Sequence, residues 1–360
     1  LAAIPPSSFA PSITTLPTIS GLSKVGYTLT ATAGNVSGEP TPTRVLQWQR
    51  SDNGTTGWAD ISGATDTTYL LGFNDEDKYI RVEQTEENIL GTATANSAST
   101  GQIQAGVDAD AQAFITAASI TNITEQAAID TLVVDLKTLG IWTKMKAIYP
   151  IVGGTASSHK FNLKDPRDLD AAFRLNFSSG WTHSSNGATP NGTSAYADTN
   201  LDLLSNYGTS FDNHFSIYYR TLNEKTEKIG AAGASYLDGM TAHIAYSNGN
   251  TYNDNMGRNS LTNASYGTSN AYHLSSLTSV TSQRLYRNGI LKINGNANSG
   301  SVYPSANFYL GAYNNNNIAA NFFSDREFAL ATIGVGLTDT EVSDLYTAVQ
   351  AFQTTLGRQV

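Results

Sequence analysis

The side chains able to do chemistry in this 360-residue sequence are carboxylates, histidines and serines. Retaining glycoside hydrolysis needs two carboxyl groups held close together across the scissile bond. A strand reading Glu-x-Asp-x-Glu, or the same with one extra residue, would carry two glutamates on one face. No such run occurs. Glu76-Asp77 lies in an early β-rich stretch, Glu224 and Glu227 in a polar turn, and Glu341 in a helix-start signal. The histidines, His159, His183, His214, His243 and His273, show neither His-Glu-x-x-His nor His-x-His spacing, so zinc finds no ligand set. His243 and His273 fall in strand-like runs and read as structural. No Gly-x-Ser-x-Gly elbow precedes a helix. With 0 cysteines, disulfides, thiolate metal sites and thiol catalysis drop out together. The chain is therefore expected to be non-enzymatic. It is expected to need no cofactor, unless the oxygen-rich loops Asn250–Asn255 and Asp198–Asp202 ligate calcium. Asn, Asp and Gly are the commonest turn residues in any case, and no EF-hand spacing is present.

Elements must hold such residues in place, and here strands dominate. In Ser282–Asn294, Leu285 alternates with Arg284 and Tyr286, Asn288-Gly289 follows, and Ile290, Leu291 and Ile293 complete a second arm. Both turn residues tolerate positive φ, as a type I′ hairpin requires. The alternation predicts one face on a core and the other in water. From about Tyr196 to Ile333 lie further short runs, among them Phe215–Arg220, Ala242–Tyr246, Ala271–Leu277, Phe308–Gly311 and Phe328–Ile333. Many short strands without a helical period mean a sandwich or jelly roll. Ile141–Pro150, Lys160–Asp170 and Phe173–Phe177 read as earlier strands, and 178–192 as a Gly/Ser/Asn-rich loop.

Helix signals are fewer and sharper. Asp108 caps a short helix through Phe114 and Ile115. Asn122 with Glu125 caps a second, in which Ala128, Ile129, Leu132, Val133, Leu136 and Leu139 recur until Gly140. Thr338 and Glu341 form a capping box ahead of Val342, Leu345, Tyr346, Val349 and Phe352, and Gly357 ends that stripe. The predicted organisation is a Pro/Ser/Thr-rich lead-in over 1–15, an all-β unit over 16–104, a helical connector over 105–145, and a β-domain over 146–360 closed by a helix. In the first β unit Trp48 and Trp58 are expected in the core.

Charged residues make up 14% and the net charge is −9. Without a basic cluster to neutralise phosphates, a nucleic-acid partner is not expected. No run of 18 apolar residues predicts a membrane span. The first residues, Leu-Ala-Ala-Ile-Pro-Pro, carry neither an initiator Met nor a charged n-region, and suggest a chain cut from a longer protein.

Three resemblances add to this. "VGYTLTATAGNVSGEPTPTRVLQWQRSDNGTTGWADISGATDTTYLL…DKYIRV" resembles the bacterial Ig-like repeat of surface and phage structural proteins. That family implies a sandwich with Trp48 as the strand-C tryptophan and Tyr79 at the tyrosine corner, here without the disulfide. "NGTSAYADT … NHFSIYYRT … SQRLYRNGILK … NFYLGAYN … FALATIGVGLTDTEVSDLYTAV" is similar to the laminin-G/concanavalin-A-like lectin-glucanase jelly roll. "DADAQAFITAASIT…LVVDLKTLGIWTKMKAIYPIVGGTASSHKFNLKDPRDLDAAF" resembles a segment of bacteriophage virion proteins. Together they imply a mostly β protein with an Ig-like sandwich, a helical connector and a jelly roll. The lectin-like family implies sugar binding by aromatic residues with Asn and Asp on loops. The candidates are Trp181, then Tyr252, Asn253 and Asp254, then Tyr313, Asn314 and Asn315. The expected setting is the virion, on capsid or tail, with other virion proteins and host-surface glycans as partners and a homo-oligomer, a trimer in a fibre, as the assembled form. A purely architectural virion subunit and a bacterial cell-surface adhesin are the alternatives.

Overall fold

The computed structural model describes residues 7–210, 212–221, 270–279, 281–296, 303–315, 317, 320 and 323–360, the Phe73 side chain excepted. It describes the backbone alone at 232–234, 241–243, 252–254, 261–263, 319 and 321. The fold is mostly β, with antiparallel sheets and a helix near the C-terminal end. Two compact units divide the chain at 107/108. Of the connector expected over 105–145, residues 108–145 cluster with the second unit.

In the first unit a sheet ordered Ala59–Asp60, Thr43–Ser51, Tyr79–Asn88 and Gly91–Asn96 shares a core with a sheet of Thr18–Ser20, Thr28–Thr32 and Thr68–Leu70. Alternation is strict where it matters: Leu29 and Ala31, then Leu46 and Trp48, then Ile80 and Val82, all point inward. Trp48 is fully buried, donates its indole N–H to the Asp66 carbonyl at 2.8 Å and stacks on Tyr69. Trp58 departs from expectation. It is only half-buried and lies beneath the Arg81 guanidinium, 4.4 Å from the ring centre, on the solvent side of the sheet.

The second unit is a two-sheet sandwich. One sheet runs Trp181–Ser184, Gly187–Pro190, Phe328–Gly334, Asn213–Tyr219, Ala271–Ser279, Ser282–Arg287, Ile290–Gly295, and Met145–Tyr149 also pairs with Phe328–Gly334. The other runs Asn176–Phe177, Ala197–Asp202, Asn307–Leu310, Ala232–Ala234, Thr241–His243, Tyr252–Asp254, Leu261–Asn263. Phe215, Ile217 and Ile333 from the first sheet meet Ala197, Phe308 and Leu310 from the second in one core.

Five helices are described: α1 (Ala109–Ala117), α2 (Ile123–Thr138), α3 (Ala156–His159), α4 (Leu203–Tyr207) and α5 (Asp339–Thr355). The α5 capping box is present in both directions between Thr338 and Glu341. At α2 only half of the expected box forms. Asn122 accepts from the Thr124 and Glu125 amides, while the Glu125 carboxylate accepts from the Gly153 amide at 3.1 Å.

Helix α5 also changes what the first sheet is. Every residue of Asn213–Tyr219 and of Phe328–Gly334 is buried, on both faces of these strands. Their polar side chains are satisfied within the fold: His214 Nδ1–H donates to the Val335 carbonyl at 2.6 Å, and the Ser216 and Thr332 hydroxyls lie 2.6 Å apart. Tyr218 donates to Gln350 on α5, and Tyr272 stacks on Tyr346.

Two further readings change. Residues 178–192 form the hairpin Trp181–Ser184/Gly187–Pro190. Lys160–Asp170 is built of turns, with only Asn176–Phe177 extended after it. The Asn288-Gly289 turn is as expected, with φ of 51° and 72°, but Ile290 and Leu291 are exposed on an edge strand.

Candidate functional site

Strand alternation in the second sheet sends Ala197, Phe308 and Leu310 inward and leaves their neighbours on the outer face. Tyr196 and Tyr309 meet there, rings parallel within 13° and centres 4.6 Å apart. Asp198 pairs in register with Tyr309 on one side and with Asn176 on the other. Its Oδ1 accepts from the Asn200 amide at 2.7 Å and its Oδ2 from Asn307 Nδ2 at 3.2 Å. A carboxylate has about four acceptor directions, so this one retains capacity for two more donors. Partial burial raises the proton affinity of Asp198, with the Asp170 carboxylate adding to it, while Asn176 and Arg174 hold Asp170 ionised below the ordinary carboxylate range. Burial beside Asp198 pushes the Tyr309 hydroxyl up to about 12. The next strand places Gly233 opposite Tyr309, and a glycine adds no side chain there. A half-buried aromatic pair beside a hydrogen-bonded carboxylate and asparagines can stack an apolar ring face while taking up its polar edge.

From sequence, Asp198–Asp202 reads as oxygen-rich, and neither tyrosine stands among the candidate sugar contacts. What brings these residues together is cross-strand register between Ala197–Asp202 and Asn307–Leu310, and no local motif announces it. Of the two carboxylates in the loop Asp198–Asp202, Asp202 caps α4 through the Ser205 amide and accepts from the Ser305 hydroxyl, while Asp198 accepts from the Asn200 amide and the Asn307 side chain. Among the described residues, no three or more His, Asp or Glu side chains converge as a metal site. Asn250 and Asn255 of the other calcium loop lie outside the described residues.

The residues expected to touch sugar are placed as follows. Trp181 is on a strand of the first sheet, with its ring edge-on to Phe177 and Phe328 and its indole N–H donated to the Tyr196 carbonyl at 3.1 Å. Gly311 packs so closely on that ring that a Cβ there would lie 2.9 Å from it. Tyr313 and Asn314 are buried, and Asn314 holds a turn by donating to the Asn307 carbonyl and accepting from the Asn317 amide. Asn315 is half-buried beside them. Tyr252, Asn253 and Asp254 form a strand paired with Thr241–His243, and their side chains lie outside the described residues. The Trp181 ring is thus half-buried against aromatic neighbours, and Asn314 is engaged in hydrogen bonds that hold its turn.

His159 and His183 approach through Nδ1 at 2.9 Å. Burial, with His183 and Arg358 nearby, drives His159 down to about 3, and burial also lowers His183. Such a pair is neutral at ordinary pH. No helix among the described residues is long and apolar enough to cross a membrane.

No family model matches the chain, and no curated protein matches it. Solved structures similar to it include a mutant of Trypanosoma rangeli sialidase displaying trans-sialidase activity, at 11% identity over 93% of this chain and 53% of that one, with TM-score 0.43. The botulinum neurotoxin serotype D binding domain is similar at 11% identity over 58% of this chain and 52% of that one, TM-score 0.39. The serotype G binding domain is similar at 15% identity over 56% and 50%, TM-score 0.38. This chain spans about half the length of each of them. The comparison corrects one expectation: a chain without enzymatic activity is no longer the reading, because sialidases stand beside binding domains among the similar structures.

Proposed function

We propose that this chain is a displayed adhesion protein of a bacteriophage particle, whose second unit holds host-surface glycans. The observation that carries the glycan reading is the outer-face pair Tyr196–Tyr309 beside Asp198 and Asn307. Aromatic faces flanked by amide and carboxylate groups suit sugars, which have an apolar side and a polar rim. The virion setting rests on the resemblance of residues 108–173 to a phage virion segment and on the module order, with the first unit as an Ig-like spacer. One such site binds weakly, so repeated copies on a particle, as in a trimeric fibre, supply avidity.

Two measurements test this. Cryo-electron microscopy of particles from the source is expected to reveal density for this chain on capsid or tail. A glycan array probed with multimerised protein is expected to report binding. Silence on the array, with the second unit wedged between other virion subunits, would make the protein architectural. The same array signal with no particle would make it a cell-surface adhesin.

A further inference from the structure

The charges around the outer face decide which sugars it would admit. Asp198 and Asp202 sit opposite Tyr309 and Asn307 in register, and Asp170 accepts at 3.2 Å from Asn176, the residue paired with Asp198 on its other side. Among the described residues Arg174, whose backbone carbonyl accepts from Asn200, is already committed: its Nη1 donates to Asp168 at 2.8 Å and its Nε to Asp170 at 2.8 Å. No described cation hydrogen-bonds to Asp198, whose two partners are the Asn200 amide and the Asn307 side chain. A carboxylate held by two neutral donors presents its remaining lone pairs as acceptors. Paired sugar hydroxyls, which are donors, fit such a group. A sugar carboxylate brought to it would meet like charge in a half-buried setting where water screens poorly.

We propose that this face is a site for uncharged sugars, with Tyr309 as the stacking platform and Asp198 as the group that accepts sugar hydroxyls and turns acidic sugars away. Tyr196 serves from behind. Its ring lies parallel to Tyr309 and fixes the plane on which a sugar would rest. Asn307 and Asn200 orient the carboxylate, so Asp198 need not reorganise to bind. The inference deepens the glycan reading and rests on it.

The test compares the full-length protein with Asp198→Asn, Tyr309→Ala and Tyr309→Phe, each first checked for an unchanged circular dichroism spectrum and melting curve. The probes are lactose, maltotriose and chitotriose as neutral sugars, and 3′-sialyllactose and a hyaluronan tetrasaccharide as acidic ones, read by line broadening and saturation transfer in NMR. Wild type is expected to bind at least one neutral probe and neither acidic one. Asp198→Asn should weaken that binding at least tenfold, Tyr309→Ala should abolish it, and Tyr309→Phe, which keeps the ring, should retain it. Because Asp198→Asn is nearly isosteric, and its new N–H can donate to the Asn307 oxygen once that amide turns over, loss of binding with an unchanged melting curve cannot be assigned to misfolding. Neutral-sugar binding unmoved by Asp198→Asn and Tyr309→Ala would overturn this site and leave the glycan reading standing. Binding of 3′-sialyllactose as tight as that of lactose would overturn the charge selection. No binding to any sugar, here and on a wider array, would overturn the glycan reading itself.

Discussion

Burial governs the residues that matter most, and it lowers the proton affinity of both His214 and Arg358. His214 is fully buried, donates Nδ1–H to the Val335 carbonyl and faces the Thr332 hydroxyl with Nε2 at 3.1 Å. Desolvation drives its pKa down to about 4, with Lys144 on the same side of the balance and Glu341 opposing it. A depressed folded value means that the unfolded chain takes up the proton first. Stability is then complete above about pH 6.5 and falls as pH drops towards about 4, by roughly 3 kcal/mol for this group alone. Calorimetry between pH 7 and 4 should record that loss, and His214→Gln should flatten the slope. Arg358 is equally buried but paired: it donates to the Ile151, Pro150 and Ala329 carbonyls and to Gln353. Arg358→Met should cost on the order of 3 kcal/mol or more, because those acceptors are left without a donor, and urea unfolding would measure it. Trp181→Ala should likewise cost about 3–5 kcal/mol in stability, and sugar binding scored per folded molecule should not change. The sequence made Trp181 look available for ligand because 178–192 reads as a loop. Only pairing with Pro190 turns the ring into the core.

Elements whose signals are local were legible. Asp108, Asn122 and Thr338 cap the helices expected of them, and Asn288-Gly289 makes its turn. Thr338→Ala should cost about 1 kcal/mol of stability, more if the Lys144–Glu341 contact at 2.6 Å loosens with the box. Gly289→Ala should cost on the order of 1 kcal/mol or more, because φ is 72° and an added Cβ would lie 2.9 Å from the Tyr346 ring; thermal melts of both variants check this. What alternation could not tell was how many layers would cover a strand. His214, Ser216, Tyr218 and Thr332 alternate with the core residues of their strands, yet they are buried as well: the first, second and fourth bond among themselves and Tyr218 donates to Gln350 on α5. The outer-face tyrosines were illegible for a related reason. Register between Ala197–Asp202 and Asn307–Leu310 is a property of the folded sheet, and nothing near Tyr196 in sequence points to Tyr309.

Across the whole molecule, the division at 107/108 separates two bodies with their own cores. Residues 8–107 and 108–360, expressed separately, should each melt at the temperature seen for the corresponding transition of the full chain. A shift of more than a few degrees in either would show that they stabilise each other. Within the second body the strand Phe328–Gly334 lies between Asn213–Tyr219 and the earlier strands Met145–Tyr149 and Gly187–Pro190. The middle of the sheet is therefore supplied by one of the last strands to be made. During synthesis Met145–Tyr149 finds early partners for Ile148, at Asn162 and Leu163, while its strand ladder must wait for Phe328–Gly334 to be made. Such non-local closure is slow, on the order of milliseconds to seconds once the chain is complete, and exposed strands are open to mispairing meanwhile. A ribosome stalled before residue 328 should hold a protease-sensitive, chaperone-bound second unit, and one stalled well beyond α5 a resistant one. The order in which the chain is written thus runs against the order in which its sheet can be filled.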